Sequence, residues 1–311
     1  MDVIQIIIQA GKSAVDISLY TLLPIMVVML VLMKILEDLG ILEKIIQFFS
    51  PLLKPFGLNG FGLFILIQLN FVSFVAPFAT LILMEQRGIS DRKLAATIAM
   101  IFAMGQANVF YPMMPLGLNW GFAIITSVAG GLIAALLTYY IFARKFSNDE
   151  KNLIQQIPKQ HPQRFSLVGI ISSAGQDGMR ISVGAIPMLV VTLSLMGCLR
   201  DIGAIHALES IMQPILSLFH IPSYFIMPAL MKFFAGGNAY FGIATELLQQ
   251  HIFNPVILNQ SSGWLICMLD LPAIGLIMAL GKRIAYVVPI SLIGAFIGLL
   301  FRTFMHIFYF S

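Results

Sequence analysis

The stretch "MKFFAGGNAYFG", Met231 to Gly242, sets a lysine, a Gly-Gly pair and an asparagine in the middle of a strongly apolar region. A lysine at bilayer depth is costly unless it is paired or hydrated, so by default it marks a pathway or a binding site. Backbone freed from a helix at that depth persists only where protein or a water-filled cavity surrounds it. The stretch is therefore either a crossing helix with a polar interruption or a re-entrant hairpin whose tip is Gly236, Gly237 and Asn238. Which of the two holds fixes the topology of everything around it.

The chain has 311 residues, 59% of them hydrophobic and only 10% charged. Apolar runs near the ~20 residues needed to span a bilayer recur along its length. Those features describe an all-α polytopic membrane protein. The net charge of +4 is no nucleic-acid signal, because the bases sit at the ends of apolar segments, where they orient a membrane protein. Cys198 and Cys267 have no CxxC spacing and suggest neither a disulfide framework nor a zinc site. Residues 1–16 lack the order of charge, apolar core and small-residue cleavage site that a signal peptide needs. "AGKS", Ala10 to Ser13, ends like a P-loop, but Ile6 stands where the first glycine should be. No cofactor and no metal site are expected.

The one long polar stretch, Ala143 to Arg164, reads as a linker, and the expected units are a first repeat, 1–145, a linker, 146–165, and a second repeat, 166–311. An offset of 163 residues superposes Pro24 on Pro187, Asp38 on Asp201, Gly40 on Gly203 and Pro51 on Pro214. About a dozen identities fall in roughly 35 positions, as expected of a transporter-type internal repeat. Each half offers a first span (Ser18 to Leu36; Ser182 to Leu199). An amphipathic segment suited to the interface follows (Leu39 to Leu58; Ile202 to Ile221), and then an interrupted apolar stretch. Two further spans close each half, Leu94 to Met113 with Leu118 to Phe142, and Ser262 to Leu280 with Ala285 to Thr303. The last contains "GAFIG", a GxxxG pattern suited to close helix packing.

Basic residues choose between the two readings of the interrupted stretches. If each stretch crosses fully, the bases divide roughly 11 to 6 between the two sides, a weak bias. If each is a re-entrant hairpin, every half has about three spanning helices, the halves are inverted, and the split becomes roughly 14 to 3. The inverted arrangement puts the central linker in the cytoplasm and both termini outside. Hairpin arms of about 13 residues at 1.5 Å each reach past the middle of a ~30 Å core.

"LMKILEDLGILEKIIQFFSPLLKPFGL", "KFFAGGNAYFGIATELLQQ" and "KRIAYVVPISLIGAFIGLL" resemble the bacterial spore maturation A and B proteins, members of the nucleoside recognition or Gate group. The resemblance covers both halves. It implies the core found in related Gate regions of the ferrous-iron permease and the concentrative nucleoside transporters, where re-entrant hairpins and inverted repeats form the transport path. The chain departs from the spore proteins in carrying both Gate units. Its first tip reads "NFVSFVAP" where the second reads "KFFAGGNA", so the first is either structural or recognises something different.

Polar groups at membrane depth supply the candidate solute-binding residues. Lys232 carries the charge, with Asp270 in "GWLICMLDLPAIG" as its expected partner, two residues before Pro272. A pair there is either a structural clamp or a coupling element. Gly236, Gly237 and Asn238 form the tip. Gln106, in "AMGQANVFYPMMP", lies opposite Asp270 in the repeat alignment, and with Asn108, Gly105 and Tyr111 in the same segment it offers a neutral counterpart. Asn70 and Ser73, with Gln68, occupy the first hairpin. Each of these amides can equally serve as helix–helix glue. Glu85 and Glu246 are expected near a membrane face.

The function expected is secondary transport or facilitated movement of a small polar solute, nucleoside-like or an organic anion, through a midplane site between inverted repeats. The alternatives are a divalent metal-ion permease, predicting a role for Cys267, and a non-transporting scaffold akin to the spore maturation proteins. An enzyme is not expected, because a lone aspartate supplies neither a carboxylate dyad nor a nucleophile–base pair. The partners expected are the solute and the lipid bilayer of a bacterial cytoplasmic membrane, with no nucleic acid. A coupling proton or cation and a homo-oligomer are left open.

Overall fold

The computed structural model of the chain describes residues 3–39, 44, 48, 51–72, 74, 76–148, 166–204, 207, 210, 211 and 222–311. The expected interfacial segment 202–221 and the linker, 146–165, lie largely outside the described residues, residues 40–43, 45–47, 49 and 50 of the segment 39–58 lie outside them, and so does Ser73. Among the described residues every regular element is helical. Among the described residues four helical stretches, the first of them broken at 104–106, are long and apolar enough to cross a membrane by length and composition: Asp91–Leu116, Trp120–Phe142, Leu167–Leu199 and Lys282–Tyr309.

One layer is a pair of long helical rods. α1 (Val3–Val15) passes through a π-helical turn, Asp16–Leu22, into α2 (Leu23–Asp38), and α8 (Leu167–Asp201) lies against both. The rods run antiparallel: a Cβ on Gly197 would lie 2.4 Å from Ile6, the Ser18 hydroxyl bonds the Ser182 carbonyl, and Lys34 Nζ reaches Asp177 at 2.5 Å. Both rods start well before the spans expected at Ser18 and Ser182. The cause in α1 is its spacing of Ile6, Ala10 and Ala14, which sets small and apolar groups on one buried stripe.

The second layer is built around α13 (Lys282–Tyr309), which packs on α5 (Asp91–Ala103), α7 (Trp120–Leu137) and α11 (Pro255–Leu265). Small residues let α13 approach α7: a Cβ on Gly298 would sit 2.3 Å from the Gly130 carbonyl oxygen, and one on Gly294 would overlap Thr138. The "GAFIG" motif is thus at a close helix crossing.

Both interrupted stretches fold as pairs of short helices packed along each other, α3 (Gly60–Phe71) with α4 (Ala76–Gln86), and α9 (Ile226–Ala235) with α10 (Gly237–Gln249). Asn59 starts α3 by accepting a hydrogen bond from Gly62 N. α9 stops at Gly236, whose φ of +86° and ψ of −174° suit glycine alone, and α10 begins at the next residue.

Two spans expected to be continuous are each split. Leu94 to Met113 divides into α5 and α6 (Ala107–Met113), and Ser262 to Leu280 into α11 and α12 (Leu271–Ala279). Asp270 therefore does not lie within a helix: it caps α12, accepting from Ala273 N at 2.9 Å, with Pro272 in the first turn. Pro272 lacks an N–H and Asp270 offers a cap, so the sequence starts a helix here rather than continuing one.

Candidate functional site

The two helix breaks, residues 104–106 and 266–270, lie against each other. Met268 N donates to the Met104 carbonyl at 3.0 Å, and Gln106 Nε2 donates to the Cys267 carbonyl at 3.1 Å. Gly105 N donates to Ser127 Oγ at 2.8 Å. Backbone groups released by the two breaks are thus satisfied partly by each other and partly by side chains, and protein encloses the first break completely.

The tip of the second hairpin closes on these breaks. Lys232, in the last turn of α9, places Nζ 2.5 Å from Asp270 Oδ2, and both side chains are almost fully buried. Both Asp270 oxygens are engaged, one by Lys232 and the other by Ala273 N. A Cβ on Gly236 would lie 3.6 Å from Asp270 Oδ2, and one on Gly237 would lie 2.9 Å from Gln106 Oε1. Asn238, at the start of α10, accepts at Oδ1 from Asn108 Nδ2 at 2.9 Å. Lys232, Gly236, Gly237, Asn238, Asp270, Gln106 and Asn108 therefore form one connected group.

Asn70 belongs to the other hairpin, at the end of α3. Its Nδ2 donates to the Leu66 carbonyl, and its own carbonyl accepts from Tyr111 Oη at 2.7 Å. Asn108 and Tyr111 are three residues apart on α6, so one face of the seven-residue helix bonds to both hairpins. Gln68 turns to Thr80 within its own hairpin, at 3.1 Å. Ser73 is outside the described residues. The side-chain oxygens of Asn70 and Asn108 are buried without a hydrogen-bond partner. An unsatisfied buried acceptor costs about 1–3 kcal/mol, so each is suited to a donor that arrives from outside the fold.

The carboxylates and sulfur placed elsewhere in the sequence have structural roles. Glu85 Oε1 accepts from Arg283 N, whose guanidinium also holds Asp91 and the Ile89 carbonyl. Glu246 accepts from Gln250, one turn on along an exposed face. Cys267 Sγ contacts the Trp264 carbonyl, and among the described residues no three His, Cys, Asp or Glu side chains cluster as metal ligands.

Two buried polar groups near the breaks escaped the reading of the sequence. Arg302, fully buried on α13, donates from Nη1 to the Ala103 carbonyl at 2.6 Å and from Nη2 to the Ile266 carbonyl at 2.9 Å. His306, one turn on, lies 2.7 Å from the Asn259 carbonyl at Nδ1 and 2.8 Å from Thr126 Oγ1 at Nε2. That carbonyl can only accept, so Nδ1 carries a proton. The available signal was the pair itself, Arg302 and His306 at i, i+4 inside an apolar span. Ending the span at Thr303 made Arg302 look like a flanking base, whereas α13 continues to Tyr309.

The family model for Gate, described as nucleoside recognition, matches residues 19–116. No curated protein matches the sequence. Among solved structures, CNTnw in an inward-facing substrate-bound state is similar with a TM-score of 0.70 at 15% identity, over 98% of this chain and 82% of that one. A double variant of CNTnw in an outward-facing state gives a TM-score of 0.68 at 15% identity, over 98% and 83%. At that identity the likeness is one of fold, and it extends over nearly the whole chain. This chain is therefore a multi-pass membrane protein, helical in its described elements and similar in fold to CNTnw, and its residues 19–116 match the Gate model of nucleoside recognition.

Proposed function

We propose that the chain is a secondary transporter or facilitator for a small polar solute, nucleoside-like or an organic anion, bound where the second hairpin tip meets the two helix breaks. The observation that carries this reading is the buried Lys232–Asp270 pair at that junction, beside the unpartnered oxygen of Asn108. An ion pair this deep is no efficient source of stability, because desolvation of both charges offsets most of their attraction. Here it joins a hairpin to a broken helix, the two kinds of element that a transporter uses to build a midplane site. Lys232 serves as electrostatic anchor, Asp270 as its counter-ion, and Gln106, Asn108, Asn238, Gly236 and Gly237 as the lining. Asn70 lines the facing hairpin tip, to which we also assign Ser73.

The Gate match and the fold likeness support this reading, and the antiparallel rods support a division into inverted repeats, 1–145 and 166–311. Ser18 and Ser182, one repeat apart within a residue of the offset, touch across those rods, and Met104 and Met268 do the same at the breaks. On this reading the linker, 146–165, is cytoplasmic, the membrane is the bacterial cytoplasmic membrane, and a transporter that is coupled rather than a facilitator uses a proton or cation.

The test is uptake into proteoliposomes of nucleosides, small organic acids, amino acids and divalent metals, with and without a pH gradient, by the wild type and by K232A and D270N. The wild type is expected to accumulate at least one class of polar solute and both variants to lose it. Variants that fold, insert and transport normally would show that the pair is not the site.

A further inference from the structure

Arg302 has a charge and, among the described residues, no charged partner. Its hydrogen bonds run to the carbonyls of Ala103, Ile266 and, at 3.5 Å, Ser262, and no carboxylate among the described residues pairs with it. Ala103 closes α5 and Ile266 follows the last residue of α11, so two helix C-terminal ends point at one guanidinium. Each such end carries roughly half a negative charge, and two together balance one cation. The fork of the guanidinium reaches both at once, as a point-like ammonium does less well. Its Nε–H is buried without an acceptor, so the group is held by those two ends and not by a full cage of hydrogen bonds. Space for it was made deliberately small: a Cβ on Gly130 would lie 2.4 Å from Arg302 Cγ.

Carbonyls freed at broken helices, and half-helix C-terminal ends, are where membrane transporters commonly hold a free cation. We infer that the meeting of α5 and α11 is such a cation site, and that Arg302 fills it permanently with a tethered guanidinium. It thereby fixes the breaks that present Gln106 and Asp270. Arg302 is a positioning residue, because it touches the breaks and not the Lys232–Asp270 junction. The inference does not depend on what the protein carries.

Removal of the side chain should leave an empty site with affinity for a small cation. The experiment uses the purified full-length chain in a C198S background, so that Cys267, buried at the second break, is the sole thiol. In R302A, maleimide labelling of Cys267 is expected to accelerate on the order of tenfold through local opening. Low-millimolar guanidinium should restore protection saturably, and urea, its neutral analogue, should not. L299A, which removes packing from the same helix, should gain nothing from guanidinium. R302K should protect Cys267 without any additive and better than R302Q, which has hydrogen-bonding groups but no charge. The inference is overturned if R302A stays protected, if urea restores protection as well as guanidinium, if L299A is rescued equally, or if R302Q matches R302K. Should R302A fail to fold, the comparison of R302K with R302Q decides alone.

Discussion

Lys232 and Asp270, 38 residues apart in sequence, meet at 2.5 Å with their side chains only 4% and 3% exposed. One stands in the last turn of a hairpin arm and the other caps the helix beyond a break, so this contact joins two separately built elements.

Loss of one partner strands the other. K232A leaves a buried carboxylate and should cost about 3–5 kcal/mol, whereas a well-packed neutral replacement of both is often nearly neutral. The double variant K232M/D270N keeps a cap on α12, because asparagine serves there as well as aspartate. Thermal unfolding in detergent should rank the double variant above K232A. The opposite order would mean that the pair itself stabilises the fold.

Gly236 should tolerate less than its neighbour. Its φ of +86° with ψ of −174° is a conformation that costs other residues about 1–3 kcal/mol. At Gly237 the backbone is ordinary, and an added methyl would press on Gln106 Oε1 and Val109 at 2.9 Å. G236A is expected to lower thermal stability more than G237A, and G237A to perturb the contact with α6. Equal stability of G236A and the wild type would count against the hairpin geometry.

Asn108 and Asn238 form the direct bond between α6 and the second tip. A double-mutant cycle with N108A and N238A should give a coupling energy of about 0.5–1.5 kcal/mol in unfolding measurements. A coupling indistinguishable from zero would mean the tip docks by packing alone.

Gly298 faces backbone rather than a movable side chain. Its added methyl would meet the Gly130 carbonyl oxygen at 2.3 Å, so G298A must push α7 and α13 apart. Overpacking of this kind costs typically about 1–3 kcal/mol. G275A, at an open position on α12, is the control expected to behave like the wild type.

The polar punctuation of the sequence carried much of the fold. The Gly-Gly pair after Lys232 signalled a hairpin because glycine alone enters the left-handed region cheaply, and the chain breaks at Gly236. The partner of Lys232 was legible because a buried charge requires one. The splitting of α5 from α6 was not, since "FAMGQANV" is apolar enough to pass for continuous helix and its breaking partners, Met268 and Arg302, lie more than 160 residues away. Arg302 itself was hidden by uncertainty in where α13 ends. An arginine near a boundary and one in the interior look alike until the helix length is known.

The short helix α6 bonds both hairpins through one face, Tyr111 to Asn70 and Asn108 to Asn238. That arrangement makes the hairpins thermodynamically reciprocal. Were a ligand bound at one tip to displace α6, it would change ligand affinity at the other by some factor, and the effect in the reverse direction would be the same factor. The two hydrogen bonds make a seven-residue helix the balance beam of such a coupling, whose two pans need never touch.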